Sequence, residues 1–338
     1  MTTNRQWVLK NRPDELVQDD TFEMLESEVP SPGEGEFLVR NLMLSFDPTQ
    51  RAWLNDVMGY VPPVQIGEVM RASGVGQVVE SNHPEYAVGD LVQGGFGWQD
   101  YQATDGGGMF PVRKLPPGVT PNAALSIFGI TGLTAYFGVL DVGEPKSGDT
   151  VLVSGAAGAT GSVAGQIAKA LGCHVVGIAG GDTKCKWLTE EAHFDAAIDY
   201  KSDDMGAKIR ELCPKGIDVY FDNVGGETLD HALANLALNA RVALCGAIST
   251  GYGTAQMQGP KNYMQLVIQR ARMEGFLVLD YMDRAGEAIA KLAEWVQAGQ
   301  IAYLEDVAEG LENAPQTLNR LFTGKNFGKQ LLEIAKPQ

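Results

Sequence analysis

Residues 149–171 read DTVLVSGAAGATGSVAGQIAKAL. A short apolar strand at 151–153 meets a turn of glycine and alanine. The turn opens directly into a segment where Val163, Ile167 and Leu171 recur at helical spacing, so one helix face is buried. Gly155, Gly158 and Gly161 mark the turn, with Ala156 where the first glycine of G-x-G-x-x-G would stand. Small residues let the chain turn tightly and let a pyrophosphate approach the free N–H groups of the helix start, where the helix dipole favours negative charge. A glycine pattern alone also fits an ordinary strand–helix corner. The preceding strand and following helix are the context that selects a dinucleotide.

The chain around this stretch has 338 residues, enough for two domains and a large core. It is 44% hydrophobic and 20% charged, with a formal net charge of −16. That acidity argues against a nucleic-acid or anionic-membrane surface, while leaving room for a small basic phosphate pocket. No apolar run reaches the roughly eighteen residues of a membrane span, and MTTNRQWVLKNRPDE has no signal-like apolar core. The expected location is cytoplasmic, with reduced thiols at Cys173, Cys185, Cys213 and Cys245.

Residues 1–120 read as short strands and turns, including FLVRNLMLSFD at 37–47 ended by Pro48. They predict a mostly β, partly closed barrel. From about 121 strands and helices alternate. Strands are expected at 150–154, 174–179, 195–198, 217–222, 240–246 and 274–279, with helices between them at 160–171, 182–191, 203–212, 226–237 and 261–271, and a last one at 283–298. Such alternation predicts an α/β fold with a doubly wound parallel sheet. The strand–helix–strand texture after 300 resembles the first part of the chain. The expected division is therefore 1–123 with 301–338 as the β-rich catalytic domain, and 124–300 as the dinucleotide-binding domain. The cleft between them is the natural ligand site.

An NAD-selective fold carries an acid about 20 residues past the glycines, on the ribose 2′-hydroxyl. Here the second strand, VVGIAG, ends without one and Lys184 follows, which favours a 2′-phosphate and hence NADP(H). Asp182 stands close enough to blur that choice, and a solvated lysine in a first helical turn is the plainer reading. A catalytic zinc needs cysteine, histidine or carboxylate ligands, yet the β-rich part offers only His83 before Cys173, so no metal is expected. Without a Lewis acid an activated double bond is the easier hydride acceptor. Its developing enolate oxygen needs hydrogen-bond donors, for which Tyr60 and Tyr252 are candidates, each also readable as an ordinary structural or surface tyrosine.

At this point the motifs can be set beside known families. LSFDPTQR (44–51), PPVQIGEVM (62–70), AAGATGSVAGQIAK (156–169), GGDTKCKWL (180–188), YFDNVGGETLD (220–230), CGAIS (245–249), EGFLV (274–278), LENAPQTL (311–318) and GKNFGK (324–329) span nearly the whole chain. Together they resemble the zinc-independent medium-chain dehydrogenase/reductases, in the alkenal/one oxidoreductase group with prostaglandin, plant double-bond and bacterial curcumin reductases. The resemblance implies a Rossmann domain beside a GroES-like catalytic domain, a homodimer, and NADPH-dependent reduction of conjugated enals and enones. It implies that Ala156, Ala157, Gly158, Ala159, Thr160 and Gly161 hold the pyrophosphate and that Lys184 holds the 2′-phosphate, with Tyr200 nearby. It further implies cofactor contacts from Asn223, a nicotinamide wall of Cys245, Gly246, Ala247, Ile248 and Ser249 with Phe276, Leu277 and Val278, and a contact from Asn326. Two positions depart from the family pattern. Thr49 stands where LS-x-DPY-x-R relatives carry tyrosine, implying a wider or differently polar pocket. Tyr252 lies one place later than the tyrosine of their S-x-Y-N pattern. A quinone reductase and a non-catalytic NADPH-binding sensor are the alternatives.

Overall fold

The structure is a computed structural model that describes residues 3–253 and 259–338. The chain forms two compact units. One comprises the chain up to Leu125, a short return at Gly251, and Glu305–Gln338. The other runs from Ser126 to Thr250 and continues to Leu304.

The first unit is built mainly of strands. β1 (Thr3–Leu9) and β2 (Phe22–Glu28) form an antiparallel pair. β3 (Phe37–Ser45), β4 (Ser73–Ser81), β5 (Leu91–Gly95), β6 (Tyr101–Thr104) and β7 (Arg113–Lys114) are joined by antiparallel pairings. Two short helices interrupt them, α1 (Thr49–Ala52) after Pro48 and α2 (Pro121–Leu125). Trp98, fully buried, centres the core with its ring 5.0 Å from Phe22 and 5.2 Å from Phe46.

The second unit starts with α3 (Ile130–Phe137) and then alternates. β8 (Thr150–Ser154), α4 (Ala159–Ala170), β9 (His174–Ala179), α5 (Asp182–Glu190), β10 (Ala196–Asp199), α6 (Met205–Leu212) and β11 (Ile217–Asp222) lead to α7 (Gly226–Leu233). β12 (Leu236–Leu244), α8 (Met264–Ile268), β13 (Arg272–Gly275) and α9 (Ala285–Gln297) complete it. All neighbours are parallel in the order β10-β9-β8-β11-β12-β13, a doubly wound sheet whose direction of growth reverses between β8 and β11. The apolar run of β8 is buried along its whole length, as a strand covered on both faces must be.

The tail returns as β14 (Glu305–Glu309), α10 (Ala314–Phe322) and β15 (Lys329–Glu333). β15 pairs antiparallel with β3, and the sheet path runs open from β14 through β15, β3, β4 and β5 to β7.

Several element boundaries differ from expectation, among them the helix expected over 261–271, which is confined to Met264–Ile268. The helix expected over 226–237 ends at Leu233, and the strand after it starts at Leu236. The alanine- and leucine-rich sequence favours helix, but Ile217 N–H donates to the Asn235 carbonyl at 2.9 Å and draws the chain into the sheet. The strand expected over 274–279 stops at Gly275 and passes into 3₁₀ turns over Val278–Arg284.

Candidate active site

The switch point of the parallel sheet is where an open α/β fold leaves a crevice, outside the carboxyl ends of its strands. Gly155 leaves β8 at φ 58°, a left-handed conformation that glycine adopts without strain. Gly158 N–H closes the turn on the Gly155 carbonyl at 2.9 Å, and α4 begins with no side chain capping it. At Gly161 a Cβ would lie 2.4 Å from the Gly155 oxygen, so only glycine lets helix and strand close this tightly. The result is a cradle of small residues ending in an open helix start, which fits a pyrophosphate. Gly158, Ala159 and Thr160 are half-buried there. Ala156 and Ala157 are buried, and the Ala156 N–H already donates to the Ile178 carbonyl at 3.0 Å.

Across the switch point, β11 ends in a hydrogen-bonded knot that the sequence reading did not single out. Asp222 is fully buried, and its Oδ1 accepts from Ser154 Oγ at 2.9 Å and Tyr220 hydroxyl at 2.7 Å. The N–H groups of Val224 and Gly225 also donate to that oxygen, each at 3.0 Å. Burial holds the Tyr220 hydroxyl protonated well beyond its ordinary range, so it stays a donor. Asn223 is fixed by the same knot: its N–H donates to Ser154 Oγ at 2.9 Å and its Nδ2 to the Ser154 carbonyl at 2.7 Å. The signal in the sequence was an acid closing the otherwise apolar run VYF, where a buried carboxylate has to be satisfied locally.

The following loop is tied to this knot. Cys245 and Gly246 donate their N–H groups to the Asp222 carbonyl at 2.9 and 3.0 Å. Ile248 N–H donates to the Asn223 carbonyl at 3.2 Å, and Ser249 Oγ to the Val224 carbonyl at 2.6 Å. Thus 245–249 lies beside Asn223 at the ends of adjacent strands. Burial, then the Asp222 charge, pushes the Cys245 thiol up to about 12, which makes it a neutral wall rather than a nucleophile. Phe276 packs edge-on to Phe221 with ring centres 6.3 Å apart, Leu277 is exposed and Val278 is buried.

The tips of β9 and β10 come together on the other side. The Tyr200 ring lies over Gly180, 2.7 Å from where a Cβ would stand. Asp199 Oδ1 accepts from the N–H groups of Gly181 and Lys201 at 2.8 and 3.0 Å. The Gly181 bond holds its carboxyl below the usual carboxylate range. Lys184, half-buried, sits in the first turn of α5, the helix that follows Gly180 and Gly181. Asp182, the residue that blurred the cofactor choice, places its carboxylate 2.7 Å from Lys186 Nζ, one helical turn on.

The remaining residues expected to act at a site belong to the first unit. Tyr60 is half exposed, and its hydroxyl is hydrogen-bonded to Thr49 Oγ1, so the residue that departs from the family pattern touches a candidate donor. Tyr252 has φ 53°, unusual for a residue with a side chain, and its ring meets Phe322 edge-on at 6.4 Å. Asn326 Nδ2 donates to the Gly328 carbonyl at 3.3 Å. Asp306 steadies that turn by accepting from Phe327 N–H at 3.2 Å and from Arg320 at 2.6 Å. His83 packs on Phe37 and Tyr86, with ring centres 5.7 and 4.9 Å away. Among the described residues, no three His, Cys, Asp or Glu side chains group as metal ligands. No described helix is long and apolar enough to cross a membrane.

The chain is similar to known oxidoreductases along nearly its whole length. Residues 5–112 match a family model described as the N-terminal domain of oxidoreductase, and residues 159–297 one described as zinc-binding dehydrogenase. The NADPH-dependent curcumin reductase of Escherichia coli (strain K12) is 42% identical over 98% of this chain and 97% of its own. The NADP(+)-dependent 2-alkenal reductase of Nicotiana tabacum is 39% identical over 99% of this chain and 98% of its own. The crystal structure of CurA from Vibrio vulnificus in complex with NADPH is 43% identical and superposes with a TM-score of 0.92, covering 98% of this chain and 100% of that one.

Proposed function

The chain belongs to the medium-chain dehydrogenase/reductase family, in the NADPH-dependent curcumin and alkenal reductase group, and from that premise we propose that it reduces the C=C bond of α,β-unsaturated aldehydes and ketones. Its cofactor is NADPH. The observation that carries the reading is the switch point of the parallel sheet, where an uncapped, glycine-closed helix start stands beside the Asp222–Asn223 knot.

In this reading the open N–H groups at the start of α4 take the pyrophosphate, with Gly158, Ala159, Thr160 and Gly161 as the cradle and Ala156 and Ala157 as its buried floor. Lys184 and Tyr200 take the 2′-phosphate side, and Asn223, residues 245–249, Phe276–Val278 and Asn326 supply further contacts. When bound, NADPH supplies a hydride to the β-carbon of the conjugated system. As the double bond becomes single, negative charge collects on the substrate carbonyl oxygen, and a proton at the α-carbon completes the reduction. A hydroxyl aimed at that oxygen lowers the barrier. Tyr252 and Tyr60 are the proposed donors, and the Thr49 hydroxyl orients Tyr60. The thiol of Cys245, held neutral by burial, takes no part in proton transfer.

Turnover separates this reading from its rivals. Purified protein is expected to oxidise NADPH with short enals, enones and curcumin-like dienones, and to be slower with quinones. Activity confined to quinones, or tight NADPH binding with no acceptor reduced, would overturn it.

Lys184→Ala tests the cofactor assignment. Losing a charged hydrogen bond costs about 1.5–3 kcal/mol. NADPH affinity is therefore expected to fall roughly 10- to 150-fold, with NADH little changed. Equal losses for both cofactors in fluorescence titrations would remove Lys184 from the phosphate.

A further inference from the structure

Arg51 is fully buried, yet none of its three guanidinium bonds reaches a carboxylate. Nε donates to the Glu15 carbonyl, Nη2 to the Pro13 carbonyl at 2.6 Å, and Nη1 to Asn55 Oδ1 at 2.7 Å. A charge buried among neutral acceptors is costly, and it holds each acceptor firmly. Both sides of Tyr252 lead back to this cation. Asn55 turns its other amide atom outward, and Nδ2 donates to the Tyr252 carbonyl at 2.7 Å. The 13–15 strip gripped by Arg51 abuts the next residue, where a Gly253 Cβ would lie 2.7 Å from the Asp14 carbonyl oxygen. Tyr252 itself holds φ 53°, a conformation that persists in a side-chain-bearing residue only when its surroundings over-determine it.

We propose that Asn55, braced by the buried guanidinium of Arg51, is a positioning residue for Tyr252, fixing the left-handed turn that aims the Tyr252 hydroxyl at the substrate. This rests on the reading of Tyr252 as a donor to the substrate carbonyl. Asn55 works through its two-ended amide: the oxygen is anchored on Arg51, and the nitrogen transmits that anchor to the Tyr252 backbone. Replacing the nitrogen alone separates the two ends.

Asn55→Asp is the test, because aspartate keeps an acceptor for Arg51 and loses the donor to Tyr252. Three measurements are made on Asn55→Asp, Tyr252→Phe and the double variant: NADPH affinity, kcat and KM for an enone such as 3-nonen-2-one, and hydrogen exchange of the peptide containing Gly251–Gly253. The expected result is unchanged NADPH affinity, at least tenfold faster exchange in that peptide, and a fall of about tenfold in kcat. In the Tyr252→Phe background, Asn55→Asp is expected to change kcat by less than twofold, since the group it positions is gone. Unchanged exchange in Asn55→Asp overturns the tether whatever Tyr252→Phe does. Equal kcat losses in both backgrounds, or none in either, overturn the positioning role. Wild-type turnover in Tyr252→Phe with faster exchange in Asn55→Asp shows a tether without a catalytic object, and it is the reading of Tyr252 that then fails.

Discussion

Gly161→Ala is expected to weaken NADPH binding by roughly 10- to 150-fold, the effect of losing about 1.5–3 kcal/mol of charged hydrogen bonding to phosphate. The added Cβ would stand 2.4 Å from the Gly155 oxygen and 2.9 Å from its carbonyl carbon. Both are backbone atoms, so no side chain can swing aside. Either the first turn of α4 lifts from the strand or Gly155 leaves its φ of 58° and its bond to Gly158 N–H. Each response moves the N–H groups proposed to receive the pyrophosphate. Overpacking of this kind also costs about 1–3 kcal/mol of stability. Fluorescence titration with NADPH beside a thermal melt reads both effects. Wild-type affinity in a folded Gly161→Ala protein would show that the cradle is not where the phosphates bind.

Asp47→Asn is expected to cost at most about 3–5 kcal/mol, the penalty for removing one partner of a buried ion pair, lessened because the Asp47 side chain is 22% exposed. Lys329 is only 2% exposed, with Nζ 2.5 Å from Asp47 Oδ1 and 3.0 Å from the Phe46 carbonyl. Ser45 Oγ donates to the other carboxylate oxygen at 2.7 Å. Neutralising Asp47 leaves the ammonium buried without a counter-charge. Adding Lys329→Met removes that charge, so the double variant is expected to regain part of the loss. Urea unfolding followed by tryptophan fluorescence checks this, since Trp98 lies at the centre of the same unit. A loss below about 1 kcal/mol in Asp47→Asn would show that the pair contributes little. The pair joins LSFDPTQR to GKNFGK, two motifs about 280 residues apart, and so ties the returning tail to the strand β3 that it lies beside.

Much of the second unit was legible because its signals are local. Strand, glycine turn and helix follow one another within 149–171, and a buried parallel strand has to be apolar throughout. Lys184 and the missing acid at the tip of β9 could be read for the same reason. Boundaries were less legible where tertiary pairing opposed propensity, as at Leu233, where a helix-forming sequence yields to the sheet. In the first unit the motifs could be recognised, but their internal bonds could not. No spacing rule connects Asn55 to Tyr252, 197 residues away, or Lys329 to Asp47.

By itself the sequence determined the fold class and the tight glycine turn between β8 and α4, since periodicity and glycine placement act over a few residues of backbone. It also carried the family through motifs spread along the chain. Only the tertiary structure decided which polar groups are buried together. Asp222 with Ser154 and Tyr220, and Arg51 with Asn55, are settled by burial, because a polar group removed from water must find its partner in whatever the fold brings within reach. The turn at 155–161 is the proposed cradle for the cofactor's pyrophosphate. The buried guanidinium of Arg51 and the amide of Asn55 decide how Tyr252 is presented, and no pattern in the chain announces either.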